Sequence, residues 1–303
     1  MRPNFLDLSD SLSNYETAKV VVLPIPYEAT VTYGKGTADG PAAIIEASHQ
    51  VEFYDREFDC EPVNSFGIHT LDSLIPVEKS SEMVDEIYNA VIPHIKAGKF
   101  VVGLGGEHSV SAGLVKAQAE FTDSPITIVQ IDAHSDLRNS YEGNIYNHAC
   151  VARRFLENEN VERILQFGIR SISTEEMDFI RSNSDRIRTW FKEDTDSNEW
   201  QKEFISLISG KKIYLTIDVD GLDPSVIAAT GTPEPDGLCW KKTVKIIKLL
   251  TCSAELIALD CVELAPVLGM HLSEYAAAKL VYKVLAIKYN TLTDKTDKTD
   301  KTD

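Results

Sequence analysis

No C-x-x-C pair, no membrane-length apolar run and no basic stripe occur in this 303-residue sequence. The five cysteines, at 60, 150, 239, 252 and 261, are odd in number and scattered, which argues against a disulfide framework and against a thiolate-held zinc. A membrane span needs roughly 20 consecutive apolar residues, and nothing here approaches that. Met1–Asp10 has one Arg, two Asp and no apolar core of the signal-peptide kind, so a cytoplasmic enzyme without a membrane partner is expected. Lys and Arg number 30 against 47 Asp and Glu, a formal net charge of −17. Such a chain cannot neutralise phosphates along a groove, which excludes nucleic acid as a partner. The surplus of acid suits the approach of a cationic ligand, or serves solubility alone. Phosphate loops are missing too. Gly103-Leu-Gly-Gly106 has neither G-x-G-x-x-G nor a G-K-[ST] ending, and Lys35 in Gly34–Thr37 fails the spacing.

What is present is an alternation of short apolar runs and amphipathic stretches. Val20–Leu23, Phe100–Leu104, Ile126–Ile131, Ile164–Phe167, Ile213–Ile217 and Leu256–Val262 are nearly continuous in Val, Ile and Leu, the pattern of strands buried on both faces. Ser81–Lys96, Thr174–Ser182, Asn198–Ile208 and Lys241–Leu250 have helical periodicity, and Ser173 with Glu176 forms an S-x-x-E capping pattern. Asp39-Gly40-Pro41 reads as a turn with Pro in the first helical turn. Alternating β and α elements predict a three-layer α/β/α fold with a mainly parallel central sheet. One domain over 1–290 is expected, followed by a 291–303 tail ending in Thr-Asp-Lys repeats. That tail has too little apolar surface to offset its ordering entropy and is expected to be disordered.

Chemistry concentrates where the apolar runs stop. One strand leads into Asp132, His134 and Asp136, and another into Asp218 and Asp220. Residues two apart in an extended chain point to one side, so each strand end presents a row of ligands. A third run leads through a glycine turn to His108. In open parallel sheets ligands bind beyond the carboxyl ends of strands, where these residues fall. Four aspartates packed together repel severely unless cations neutralise them, and a pair of divalent ions would do so. Oxygen-rich ligands with some imidazole suit Mn²⁺ better than a thiolate-seeking metal. Taken singly, D-x-H-x-D can be a solvated loop and D-x-D a capping turn; three strand-end clusters together are hard to explain as structure.

Gly105-Gly-Glu-His-Ser109, Asp132-Ala-His-Ser-Asp136, Thr216-Ile-Asp-Val-Asp-Gly-Leu-Asp-Pro224 and Thr230-Gly-Thr-Pro233 resemble the successive signatures of the ureohydrolases, the arginase–agmatinase family. Asn147-His-Ala-Cys-Val-Ala-Arg-Arg154 is most similar to agmatinases. The resemblance implies two Mn²⁺ per subunit: one on His108, Asp132, Asp136 and Asp218, the other on Asp132, His134, Asp218 and Asp220, with a hydroxide between them. It also implies that Glu263 grips the guanidinium, that Asp136 accepts a hydrogen bond from the hydroxide, and that His148 carries a proton to the departing amine. Without the resemblance, Glu263 reads as a strand-end salt-bridge partner and His148 as a loop histidine. Trimers or hexamers are the assemblies implied. Two departures stand out: Ala228-Ala229 where the family has Pro-Gly, and Asp236 where it has Gly.

The expected reaction is hydrolysis of a small cationic guanidino compound, agmatine first, giving putrescine and urea. N1-aminopropylagmatine is the alternative, then arginine or guanidinobutyrate. Arg138 and Gly143–His148 depart from the arginase pattern that binds an α-amino acid. A mononuclear zinc deacetylase, which would not need both His108 and Asp220, and a non-catalytic relative are the readings from other classes.

Overall fold

The computed structural model describes residues 4–299, with side chains through Asn290; the side chains of the 291–303 tail, expected to be disordered, lie outside the described residues. Eight strands form one sheet: β1 (Val20–Ile25), β2 (Ile68–Thr70), β3 (Phe100–Gly105), β4 (Ile126–Ile131), β5 (Val161–Ile169), β6 (Ile187–Phe191), β7 (Lys212–Asp218) and β8 (Glu255–Val262). Their order is β2-β1-β3-β8-β7-β4-β5-β6, and every pairing is parallel. All six expected strands are present, five of them longer than the apolar run by one to five residues. The two that were not expected are the sheet's edges. β2 has three residues, and β6 alternates buried Ile187 and Thr189 with half-exposed Arg188, so neither shows the continuous apolar signal of a central strand.

The strand period divides the core in two. Val20 and Val22 join one apolar cluster while Val21, Leu23 and Ile25 join the other, which gives the three layers. Helices Gly40–Ser48, Trp200–Ile208, Trp240–Ser253 and Leu272–Thr299 cover the first face. Ser80–Lys96, Ser111–Phe121, Val151–Glu157 and Thr174–Ser182 cover the second. The Ser111–Phe121 helix was not anticipated, because Ser111–Val115 and Ala117–Ala119 are all buried and only Lys116 and Glu120 are exposed, too narrow a polar strip for periodicity to reveal.

The capping pattern at Ser173 forms as expected and reaches further than a cap. One carboxylate oxygen of Glu176 accepts from the Ser173 amide at 2.9 Å and its hydroxyl at 2.6 Å. The other accepts from the Ser135 hydroxyl at 2.7 Å and the Leu137 amide at 3.1 Å. A helix start on one layer thereby anchors the Asp132–Asp136 loop at the end of β4. Glu176 is buried, so Glu176→Ala strands several donors and is expected to lower the unfolding free energy by about 3 kcal/mol. Urea denaturation of the metal-free protein measures this, and a loss below about 1 kcal/mol counts against the anchor.

Candidate metal centre and substrate cleft

Four adjacent strands at the middle of the sheet, β3-β8-β7-β4, supply the site. Because all are parallel, their carboxyl ends open on the same side. His108 follows β3, Glu263 follows β8, Asp218 ends β7 with Asp220 in the next turn, and Asp132, His134 and Asp136 follow β4. The loops close up because of two glycines. A Cβ on Gly106 would lie 2.0 Å from the Tyr27 carbonyl oxygen, and one on Gly221 would lie 2.6 Å from the Asp132 nitrogen. Asp136 (φ 53°) and Glu263 (φ 66°) adopt left-handed backbone that side chains disfavour. Local hydrogen bonds hold them there: the Glu263 amide donates to Gly106 O at 2.8 Å, and the Arg153 amide donates to Asp136 O at 3.2 Å.

The six expected ligands come together. His108 Nδ1 lies 3.2 Å from Asp132 Oδ2, 3.1 Å from Asp136 Oδ2 and 3.4 Å from Asp218 Oδ2. His134 Nδ1 lies 3.0 Å from Asp220 Oδ2 and 3.8 Å from Asp132 Oδ1. Two groups of ligand atoms result, His108–Asp132–Asp136 and Asp132–His134–Asp220, each within 4.8 Å, with Asp132 common to both. Asp132 turns Oδ2 toward His108 and Oδ1 toward His134, so its two oxygens could serve the two groups.

A cation fits this donor set on an independent ground. The Thr216 hydroxyl donates to Asp260 Oδ1 at 2.6 Å, so it accepts from His108 Nε2 at 2.9 Å. That leaves the lone pair of a neutral His108 on Nδ1, a buried atom without a hydrogen-bond partner that faces three carboxylate oxygens. A lone pair aimed at three anions is repulsive unless a positive ion lies between them. Neither Thr216 nor Asp260 was singled out from sequence. Thr216 precedes Asp218 by one strand period and pairs across to Asp260, so the two-residue alternation of the strand is the signal that marks it.

Without such ions, protons supply the positive charge. Burial pulls the His108 imidazole down, and the carboxylates of Asp132, Asp136 and Asp218 outweigh it, leaving it well above the usual imidazole range. Burial likewise opposes charge on His134, but Asp220 and its neighbours push it up to about 11. Desolvation and the fields of Asp136 and Asp220 raise Asp132 to about 7, and desolvation with Asp220 and Asp132 puts Asp218 well above the carboxylate range. Asp220 goes the other way: His134 overcomes its burial and holds it low.

Glu263 and His148 line the same cleft, of about 380 Å³, with Asp136, Asp218, Asp220, Tyr33 and Glu234. Glu263 Oε1 accepts from the His108 amide at 2.6 Å, which aligns the carboxylate beside the ligands. Burial raises Glu263 well above its usual range; the His108 amide opposes the shift and the Glu107 charge adds to it. His148 begins a short turn capped by Asn147, whose side chain accepts from the Ala149 amide at 3.0 Å. Arg138 is the one Lys or Arg among the described residues lining the cleft; its guanidinium lies over Tyr141 and 3.9 Å from Glu176.

The two departures from the family pattern have local accommodations. The amides of Ala228 and Ala229 both donate to the buried Ser273 hydroxyl, at 3.1 Å each, a bond that proline at 228 could not make. Asp236 takes a left-handed φ of 58°, where glycine is at ease, and pairs with Lys192 at 2.6 Å.

A proton-loaded ligand set must release protons to take up cations. Divalent-ion binding is therefore expected to expel on the order of one proton or more per chain. Its affinity should fall as pH drops through about 7, where Asp132 recovers its proton, and rise above it. Calorimetric titration in two buffers of different ionisation enthalpy reads the release, and heats independent of buffer contradict it.

Comparison with known proteins agrees with this geometry. The arginase family model matches residues 18–286. The N1-aminopropylagmatine ureohydrolase of Synechocystis sp. is 43% identical over 282 residues, covering 91% of each chain. The agmatinase of Bacillus anthracis is 33% identical over 275 residues, 90% of this chain and 92% of that one. The solved agmatine ureohydrolase of Thermoplasma volcanium superposes with a TM-score of 0.85 at 31% identity, covering 97% of each chain. With a matching family model across most of its length and relatives of this identity, the chain belongs to the arginase family of ureohydrolases.

Proposed function

We propose that this ureohydrolase cleaves the guanidino group of N1-aminopropylagmatine, releasing urea and a triamine, with agmatine as the second reading. What favours the longer amine is the 43% identity to a relative named for it, against 33% to one named agmatinase. The cleft is compatible with a polycationic tail. Its lining includes the half-exposed Glu234 carboxylate and the exposed ring of Tyr33, and amines are attracted to both. Arg138 already has Glu176 and Tyr141 for company, which leaves it poorly placed as a dedicated receptor for an amino-acid carboxylate.

The reading assigns His108, Asp132, Asp136 and Asp218 to one Mn²⁺ and Asp132, His134, Asp218 and Asp220 to the other. Bound divalent ions supply a water acidic enough to serve as a nucleophile near neutral pH. The protein's own groups do the rest. Glu263 receives the guanidinium, matching its charge and fixing its plane, so orientation is settled before reaction. Asp136 accepts a hydrogen bond from the attacking water. His148 hands a proton to the nitrogen that leaves as amine. The zinc deacetylase alternative accords poorly with a paired donor set that uses both His108 and Asp220.

Urea release by the purified Mn²⁺-loaded protein, measured with N1-aminopropylagmatine, agmatine, guanidinobutyrate and arginine, tests the substrate. The expected kcat/KM for the first exceeds the others by about tenfold or more, equivalent to 1.4 kcal/mol. Preference for agmatine hands the assignment to the second reading, and preference for arginine removes both. His148→Ala is expected to slow turnover roughly 10²-fold or more with metal content unchanged; an unaltered rate takes His148 out of the chemistry.

A further inference from the structure

One buried carboxylate behind the cleft is left unused by the reaction scheme. Glu107 is fully buried, and four donors saturate it. Oε2 accepts from the amides of Ala29 and Thr30, at 2.7 and 2.6 Å. Oε1 accepts from the hydroxyls of Thr30 and Ser109, at 2.8 and 2.5 Å. Two donors on each oxygen leave no site for a carboxyl proton, so the group is acceptor-only.

This settles the direction of the next bond. A hydroxyl has one proton, and that of Thr30 goes to Glu107. Toward His148 the Thr30 oxygen can only accept. It does so from the His148 amide at 3.0 Å and lies 3.1 Å from His148 Nδ1. The Nδ1 atom must therefore carry hydrogen. The lone pair of the neutral ring is left on Nε2, the nitrogen free to serve the cleft that His148 lines.

We propose that Thr30 is a positioning residue for His148: with its own proton committed to Glu107, it holds the ring as the Nδ1–H tautomer and makes Nε2 the nitrogen that exchanges protons with substrate. The inference rests on the assignment of His148 as the proton carrier in the proposed function. Thr30 and Glu107 touch neither substrate nor ligand atoms in this scheme; they act through the imidazole. A free imidazole in water distributes its proton between both nitrogens. Here the acid form is the imidazolium, and with Nδ1–H held by Thr30 the proton it gives up to the departing nitrogen is the one on Nε2, which leaves the neutral Nδ1–H ring. Fixing the tautomer also orients the ring, since the backbone amide and Nδ1 converge on one oxygen.

The test compares Thr30→Val, which keeps the shape and removes the hydroxyl, with Thr30→Ser, which keeps the hydroxyl. Thr30→Val is expected to lower kcat roughly 10- to 100-fold with little change in KM or bound Mn²⁺. Thr30→Ser should stay within about threefold of the parent. In a His148→Ala background the same valine substitution should cost nothing beyond about twofold, because the residue it positions is gone. An equal loss in both backgrounds, or a serine variant as slow as the valine, marks a merely structural contact and overturns the proposal. ¹⁵N-histidine NMR of the full Mg²⁺-loaded chain reads the tautomer without substrate. The His148 signal, identified by its loss in His148→Ala, should show hydrogen on Nδ1 in the parent and lose that bias in Thr30→Val. Hydrogen on Nε2 in the parent refutes the proposal whatever the enzyme hydrolyses. If the tautomer is as proposed but no guanidine is turned over, it is the function that fails instead.

Discussion

Mutual repulsion among buried carboxylates is the constraint that organises this molecule. Asp132, Asp136, Asp218, Asp220 and Glu263 are each less than 9% exposed and converge from three strand ends. In water such groups would separate; here the backbone holds them together. Asp132 accepts from the Gln130 side chain at 2.8 Å and the His134 amide at 2.7 Å, Asp220 from the Ala133 amide at 3.0 Å, and Asp218 from the Asp220 amide at 2.9 Å. These dipoles offset part of the desolvation. The remainder falls to positive charge, whether protons on the two imidazoles or divalent ions among the oxygens. A site poised in this way exchanges one form of charge for the other.

Rigidity around the cluster follows from the same need. Gln130 is held by Gln166, which donates to it at 2.9 Å and accepts from Thr189 at 2.7 Å, so the orientation of Asp132 is set by a chain running across β4, β5 and β6. On the other side, His108 is backed by Thr216, Asp260 and Tyr214, the last donating to Asp260 at 2.6 Å. Arg170 extends the support to the rim. Its guanidinium donates to the carbonyls of Asp220 at 2.7 Å and Glu234 at 2.8 Å, clipping the loop that lines the cleft to the loop that holds a ligand. Such polar networks are tolerable in a core only when nearly every member is satisfied.

Floor and wall of the cleft thus differ in origin. The floor comes from the ends of β3, β8, β7 and β4, where strand period and sheet order place the ligands. The wall comes from loops after β1 and before the Val151–Glu157 helix, which sit more than a hundred residues apart in sequence and meet at Thr30 and His148. Glu107 joins them, one residue before the ligand His108. That division separates the clustered carboxylates and imidazoles of the floor from the histidine of the wall.

The amino-acid sequence by itself determined the six buried strands, the parallel three-layer arrangement and the six acids and histidines that cluster, because apolar runs that end in acids and histidines are a local signal. The resemblance to ureohydrolases added Glu263 and His148, which local chemistry alone left as a salt-bridge partner and a loop residue. Only the tertiary structure decided which strands stand side by side, and hence which oxygen of Asp132 faces each group, a sharing that the resemblance had implied. It alone brought out the edge strands, the largely buried Ser111–Phe121 helix and the contacts of Thr216, Asp260, Thr30 and Glu107. The reason is physical. A ligand type and its strand period are written within a few residues, whereas the direction of a hydrogen bond depends on which distant donor has already claimed the acceptor, and that is settled only when the chain has folded.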